Sequence, residues 1–571
     1  MILDSDFGMI VQNTLYLFLI FTFPLFWIAV LIKKLCFWVW LWQIKEYHSK
    51  RFLAHFSTFK GKKLILNWQN ALKLFSIYAF IKPFPWDWLI IIIVVLFSTY
   101  FLEFASTLRH LLQRNLRYPV LTKKTALILM GGFLLIISFF FGLFLYDLSW
   151  RQFFLGILTF DLFSPLIFSI LVFCFWPITF LWQKRLIKRA KKKREKFKDL
   201  LVVGITGSYG KTSTKEFLYT ILVSKYGKEK ILKTRKNQNS EVGISRCILN
   251  DLKPEHKIFI CEMGAYNRGG IKLLCDIARP KIGILTGINE QHLATFGSQN
   301  NTILAKFELI QSLPENGLAI LNRSDPKIKS QISNLKNALR QNGLGTGQAN
   351  QELKNIKFCS IVEKTDVWAE DIKIEKRKIS FRAFSKDGDE AFFEVNLIGG
   401  HNIENLLMAI CCAKELGMSF EEISRACQEI MPLERTMTLK KGIRGVMIID
   451  DSYSANPRGV MAALDYLKLY PGYKIIIMPC LIELGRASKR VHQKIGEKIG
   501  QACDLAIITT RDRFKEIENG AIQSGMKEKQ ILFLENPKMI FEKIKPYCRP
   551  ENIILLESRV PQKLIVNLLE N

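Results

Sequence analysis

Hydrophobic positions follow two different patterns along this chain. Up to about residue 183 they gather in long, nearly unbroken runs at 9–32, 86–104, 125–147 and 153–182. Each run approaches or exceeds the roughly 20 residues that a helix needs to cross a bilayer. From residue 200 the apolar runs become short and alternate with polar, helix-forming stretches: 200–203, 256–262, 281–285, 317–322, then 445–451, 473–478, 504–510 and 552–558. Short apolar runs alternating with helices predict doubly wound, mostly parallel sheets. The stretch from about 350 to 398 reads as richer in strands. The predicted fold class is therefore an α-helical membrane domain followed by α/β domains. The predicted organisation is a membrane domain at 1–183 with four or five spans, a basic linker at 184–199, a central domain at 200–434 and a smaller Rossmann-like domain at 435–571.

Charge sets the expected orientation. The first run ends at Lys33 and Lys34, and basic stretches follow at 43–63, at 105–124 with Arg109, Arg114 and Arg117, and at 184–198. Such stretches face the cytoplasm. Two inside segments cannot flank one span, so a weak crossing or re-entrant hairpin is expected at about 64–83, turning at Pro83 and Pro85. The alternative is that 43–83 lies along the interface. The N-terminus is then outside, and everything after residue 183 is cytoplasmic, on the inner face of a multi-pass cell membrane protein. The first run is long and lacks a basic leader or small-residue cleavage site, so no cleavable signal is expected. Asp161, inside the last run, is either functional or paired within the bundle.

Composition refines this picture. The chain is 49% hydrophobic yet 23% charged, so apolar and soluble parts are segregated. Its net charge of +30 lies largely beside the apolar runs, where it meets anionic headgroups. No nucleic-acid motif is present. Twelve cysteines are scattered without a CxxC, which favours neither a disulfide framework nor a zinc site.

The candidate chemistry centres on LLVVGITGSYGKTSTKE at 200–216. A short strand, a turn with Gly204, Gly207 and Gly210, and a helix expected from Lys215 to Val223 provide the setting of a phosphate-binding loop. Glycines let backbone N–H groups curl around phosphate oxygens. Lys211 reaches phosphate charge and Thr212 offers a hydroxyl to Mg²⁺. The spacing departs from GxxxxGK[ST], because Ile205 occupies the place of its first glycine. ATP binding is expected here, and Glu262, at the end of a strand, is a candidate for handling Mg²⁺. His292 lies in a polar turn, Lys306 on a helix and Asn322 at a strand end.

In order, TGSYGKTST, NQNSEVG, EMGA, EQHLATFGS, AKFE, GGHNIEN, DDSYSANP and IELG span roughly 200 to 560. This ordered set resembles the Mur ligase family, and within it the members that add D-alanyl-D-alanine to a nucleotide-linked muramoyl tripeptide. The resemblance implies ATP-dependent amide bond formation through an acyl phosphate. It implies that Thr206, Gly207, Ser208, Gly210, Lys211, Thr212 and Ser213 hold ATP, with Asn322 at the adenine. Thr212, Glu262, His292 and Lys306 would serve the magnesium ions, Lys306 as a carbamate. Arg435 and Asp451 would reach the γ-phosphate and ribose, with Asn456 nearby. By the same resemblance Lys211, His292, Lys306 and Arg435 form the catalytic set.

Departures concern substrates. The membrane domain stands where the family grips a uridine-diphosphate sugar. Leu556-Glu557-Ser558-Arg559 replaces a Lys-Gly-Ser-Arg run, MPCLIELG lacks the usual aspartate, and Ser454 replaces an asparagine. The expected partners are an acid, an amino-acid or dipeptide amine, membrane lipid or a lipid-linked precursor, and other cell-envelope enzymes. The alternatives are a ligase that elongates an amino-acid polymer, and a non-catalytic ATP-binding membrane scaffold.

Overall fold

The computed structural model describes residues 2–82, 84–113, 116–146, 148–235, 238–341, 355–453 and 456–569. Pro83, Arg114 and Ser454 lie outside them. The chain separates into two compact units, Met1–Gln183 and Lys184–Asn571.

Among the described residues, four helical stretches are long and apolar enough to cross a membrane: Thr22–Ile44, Asp87–Leu112, Lys123–Leu143 and Trp150–Glu195. Two expectations change. The first helix does not stop at Lys33–Lys34 but continues to Ile44. It can do so because both ammonium groups find carboxylates, Lys33 at 3.7 Å from Glu103 and Lys34 at 2.5 Å from Asp161. The weak crossing at 64–83 is a helix of 14 residues, Trp68–Ile81. At 1.5 Å per residue it extends about 21 Å, short of the roughly 30 Å hydrocarbon core.

Asp161 resolves as a bundle ion. It is buried, accepts from the Tyr100 hydroxyl at 2.6 Å, and lies 2.5 Å from both Lys34 and Lys73. Pro165, four residues on, has no N–H for the Asp161 carbonyl, which accepts from the Ser164 hydroxyl at 2.7 Å instead. Removing one partner of a buried ion cluster leaves uncompensated charge. Asp161→Asn is therefore expected to destabilise the unit by about 3–5 kcal/mol, read as a lower thermal midpoint in detergent. An unchanged midpoint would show that the cluster does not hold the bundle.

The second unit contains two sheets. The larger has nine strands among the described residues: β1 Leu201–Thr206, β2 Ile231–Lys233, β3 Ile258–Glu262, β4 Ile282–Leu285, β5 Leu318–Asn322, β6 Ile356–Ser360, β7 Val367–Ile374, β8 Ile379–Ser385 and β9 Glu390–Val395. Their order is β2-β3-β1-β4-β5-β6-β7-β8-β9. Pairing is parallel from β2 through β7 and antiparallel along β7-β8-β9, the strand-rich stretch. β1 thus sits where the strand order reverses, the position at which open α/β sheets hold ligands beyond their carboxyl ends. Val203 and Ile205 of β1 pack under Phe217, Leu218 and Ile221 of the helix Lys211–Tyr226, with the buried helix His401–Glu415 in the same core.

The smaller sheet comprises β10 Thr438–Lys441, β11 Met447–Asp451, β12 Lys474–Met478, β13 Leu505–Ile508, β14 Ile531–Phe533 and β15 Ile553–Glu557. Their order is β10-β11-β15-β12-β13-β14, parallel except for β10 against β11.

Candidate active site

The turn after β1 is built by glycine. Gly207 has φ 153°, and a Cβ there would come 2.0 Å from Thr286 Oγ1. Gly210 has φ 76°, and its Cβ would meet Asn405 Oδ1 at 2.2 Å. Because Gly210 turns in the left-handed region, the helix begins at Lys211, not at Lys215 as its composition suggests. Lys211, Thr212 and Ser213 therefore form its first turn, where backbone N–H groups have no helical acceptors and favour an anion. Lys211 is folded over the turn, with Nζ donating to Gly207 O at 2.8 Å. Thr206 is buried and donates to Met263 O at 2.9 Å.

Glu262 closes β3 beside this turn. Its Oε2 accepts from Thr212 Oγ1 at 3.1 Å and from Lys215 Nζ at 3.2 Å, while Oε1 accepts from Asn239 Nδ2 at 3.1 Å. Burial would raise its pKa, but Lys215 and Lys211 outweigh that and hold the carboxyl below its ordinary range. It stays ionised, as a hard-cation ligand must. Lys215, fully buried, was not singled out from the sequence.

His292 has a left-handed backbone, φ 64°. Its Nδ1 lies 2.5 Å from Glu483 Oε2, and its ring meets Tyr266 edge-on at 4.9 Å. Burial lowers its pKa against the pull of Glu483, with Lys306 and Lys211 lowering it further. A neutral imidazole that donates Nδ1–H to a carboxylate presents Nε2 as a ligand atom, the usual carboxylate–histidine support of a metal site. Lys306 is only 3% exposed, on the helix Gln299–Gln311. Its ammonium forms no hydrogen bond among the described residues, and Nζ lies 5.8 Å from the Phe296 ring. Burial, and then the charge of Lys211, lower it to about 7.

The other expected site residues have different surroundings. The Asn322 amide donates to Thr286 O at 2.9 Å and to Glu404 Oε2 at 2.7 Å, and its oxygen accepts from Ser324 N at 3.0 Å. Arg435 Nε donates to Ser452 Oγ at 2.9 Å. Asp451 is 2% exposed, accepts from Met437 N at 3.2 Å and pairs in register with Glu557 of β15. Burial pushes Asp451 up to about 7 and Glu557 well above its ordinary value. Asn456 Oδ1 accepts from Gly459 N at 3.0 Å as a helix cap and from Asn289 Nδ2 at 3.1 Å.

The arginine that meets the phosphate loop is Arg458, which the sequence reading did not single out. It lies over the Tyr209 ring at 4.8 Å, donates to the Tyr209 hydroxyl, and reaches Glu404 Oε1 at 2.5 Å. Tyr209 in turn donates to Asp325 Oδ2 at 2.8 Å. With the His292–Glu483 and Asn289–Asn456 contacts, Arg458 docks the domain of the smaller sheet onto that of the larger one. Arg458→Ala leaves Glu404 and Asp325 without their cation, but the side chain is one-third exposed, so water compensates in part. The expected loss is about 1–3 kcal/mol of docking, read as a rise of roughly ten- to a hundredfold in the ATP concentration needed for half-maximal turnover. An unchanged value would remove Arg458 from the docked state.

The residues present suit a nucleotide and a divalent ion. Among the described residues Ser208 Oγ is buried without a hydrogen-bond partner beside the glycine cradle, a donor suited to a phosphate oxygen. Among the described residues no three His, Cys, Asp or Glu side chains converge to hold a metal by themselves. A magnesium ion would thus draw on Thr212, Glu262, His292, phosphate oxygens and Lys306 only after its conversion to an anion.

Residues 205–413 match the Mur ligase middle domain, and residues 435–559 match the Mur ligase glutamate ligase domain. A UDP-N-acetylmuramoyl-tripeptide–D-alanyl-D-alanine ligase of Synechocystis sp. is 31% identical over 304 residues, covering 52% of this chain and 59% of that protein. The Bacillus subtilis ligase of the same name is 26% identical over 366 residues, covering 64% of this chain and 74% of that protein. The chain thus spans 59% of the length of the Synechocystis relative. Among solved structures, the MurF ligase of Thermotoga maritima in complex with ADP aligns with a TM-score of 0.55 at 25% identity, over 67% of this chain and 83% of that one. MurF from Acinetobacter baumannii aligns with a TM-score of 0.57 at 24% identity, over 67% of this chain and 80% of that one, a likeness of fold. The second unit holds the Mur ligase middle domain followed by the Mur ligase glutamate ligase domain, and by them the chain belongs to the Mur ligase family.

Proposed function

We infer that the chain is a membrane-anchored, ATP-dependent amide ligase of the MurF type, joining an amino-acid or dipeptide amine to the carboxyl of a cell-wall peptide precursor. One observation carries this reading. Lys211 bears electrostatically on Glu262, His292 and Lys306, and Glu483 from the domain of the smaller sheet closes on His292. A site that only sensed ATP would not require a buried, partnerless lysine opposite a carboxylate-supported histidine.

The chemistry follows from the side chains. Lys211 and the first-turn N–H groups bear on the charge of the β- and γ-phosphates. A substrate carboxylate attacks the γ-phosphorus, the bond to the β-phosphate oxygen breaks, and ADP leaves an acyl phosphate. The amine then attacks the acyl carbon, loses a proton and expels phosphate. Thr212, Glu262, His292 and, as a carbamate, Lys306 would hold magnesium, which when bound would neutralise charge at the transferring group. Domain docking through Glu483, Asn456 and Arg458 excludes water, which would otherwise hydrolyse the acyl phosphate.

The four apolar stretches and their basic flanks support an inner-membrane location with the ligase unit in the cytoplasm. A bundle of several spans exceeds what an anchor requires, which supports a lipid-linked acceptor or a partner enzyme in the membrane. The test uses the full chain in detergent with UDP-N-acetylmuramoyl tripeptide and D-alanyl-D-alanine, alongside a lipid-linked acceptor. Release of ADP that depends on both acid and amine supports the reading. ATP hydrolysis indifferent to both would overturn it.

A further inference from the structure

The second unit carries a basic cavity of about 540 Å³ at the edge of the large sheet away from the phosphate loop. Leu200 and Lys281, in its wall, immediately precede β1 and β4, whereas the loop and Glu262 follow the carboxyl ends of β1 and β3. The cavity is therefore separate from the nucleotide site by the length of the strands. Its lining holds Lys191, Arg194, Lys198, Arg279 and Lys281 against a single carboxylate, Asp276.

These cations are not equivalent. Arg194 is buried and spends its guanidinium on the carbonyls of Ala278, Phe197 and Leu200, at 2.9, 2.6 and 3.0 Å. It shapes the wall and leaves a fixed positive charge in it. Arg279 pairs with Glu195 at 2.5 Å, and Lys191 with Asp276 at 3.6 Å, both in solvent-accessible positions where a competing anion can displace the partner. Lys198 and Lys281 have no carboxylate partner among the described residues, and their ammonium groups are exposed at the rim. Excess cations focused in a concave wall, with two donors unengaged, attract a multiply charged oxyanion.

The helix that supplies Lys191 and Arg194 carries a second signature along its sequence. The helix Trp176–Glu195 starts with exposed Trp176, Leu181 and Trp182 and ends in the basic run that supplies Lys191 and Arg194. Aromatic residues followed by lysines and arginines mark the headgroup layer.

We propose that this cavity, through Lys198, Lys281, Arg279 and Lys191, binds the phosphate of an anionic ligand, either the headgroup of an anionic phospholipid or free phosphate. The site is independent of the ligase reading. The two sources are separated with the full chain in nonionic detergent. Native mass spectrometry follows dioleoylphosphatidylglycerol against dioleoylphosphatidylcholine, and equilibrium dialysis follows inorganic phosphate. The cavity variant is Lys198→Gln with Lys281→Gln; the control, Lys188→Gln with Lys192→Gln, removes the same charge from the helix outside the cavity lining. The expected result is saturable phosphatidylglycerol binding that weakens about tenfold in the cavity variant only, a differential of about 1.4 kcal/mol, with the thermal midpoint unchanged. The same selective loss for inorganic phosphate alone would assign the site to the free anion. Equal losses in both variants would reduce the effect to diffuse charge and overturn the proposal, as would no loss in either.

Discussion

Lys211→Ala is expected to lower ADP release by about 10³-fold, as removal of a preorganised charge at a transferring phosphoryl group does, while the protein still folds and inserts. The reason is local. Lys211 contributes to the fold one hydrogen bond to Gly207 O within its own turn, and no hydrophobic cluster of the domain depends on it. Burial lowers its pKa against the pull of Glu262, and an anion in the loop would offset more of that cost. The measurement is coupled ADP release with the thermal midpoint recorded alongside. Release at the wild-type rate from a folded variant would sink the phosphate-loop assignment.

Lys306→Ala is expected to lower turnover by about 10²–10³-fold, with partial recovery on adding formate or acetate. An ammonium cannot ligate a cation, whereas a carbamate or a small carboxylate in the vacated space supplies anionic oxygen. The pKa of about 7 makes the modification accessible, because only the neutral amine attacks carbon dioxide. The sign of the pH effect follows. As pH falls through about 7 the free amine is protonated, the carbamate is lost and activity declines. For the uncarbamylated protein, the unfolded chain binds the extra proton between about 7 and 10.5, so stability rises with pH across that window. Carbon-13 NMR with labelled bicarbonate reads the carbamate directly. Its absence at neutral pH, with full activity, would rule out this role.

The turn after β1 was legible in the sequence because glycine at 207 and 210 answers a backbone requirement that other residues meet only with strain. Alternating apolar runs likewise announced both sheets, since a buried parallel strand needs a short continuous apolar segment. What could not be read was set by contacts between distant segments. Lys33 and Lys34 read as the end of a span, yet they lie within a helix because Glu103 and Asp161 neutralise them from other helices. Asp451 was named through the family resemblance alone, and the register that sets Glu557 of β15 directly beside it could not be read from either segment by itself. Arg458 and Glu404 gain their roles only when the two domains dock. A clue existed, since Arg458 follows DDSYSANP by one residue and Glu404 lies inside GGHNIEN. Neither spacing alone distinguishes a docking pair from a solvated charge.

The central claim is that a carboxylate is activated by phosphorylation and then captured by an amine. The most direct measurement supplies the acid substrate with oxygen-18 in its carboxyl group and analyses the phosphate released by the full chain with the amine present. The account predicts that one labelled oxygen moves from the carboxyl to phosphate for each amide formed. Phosphate that carries no label, or that is released without an amide, would contradict it.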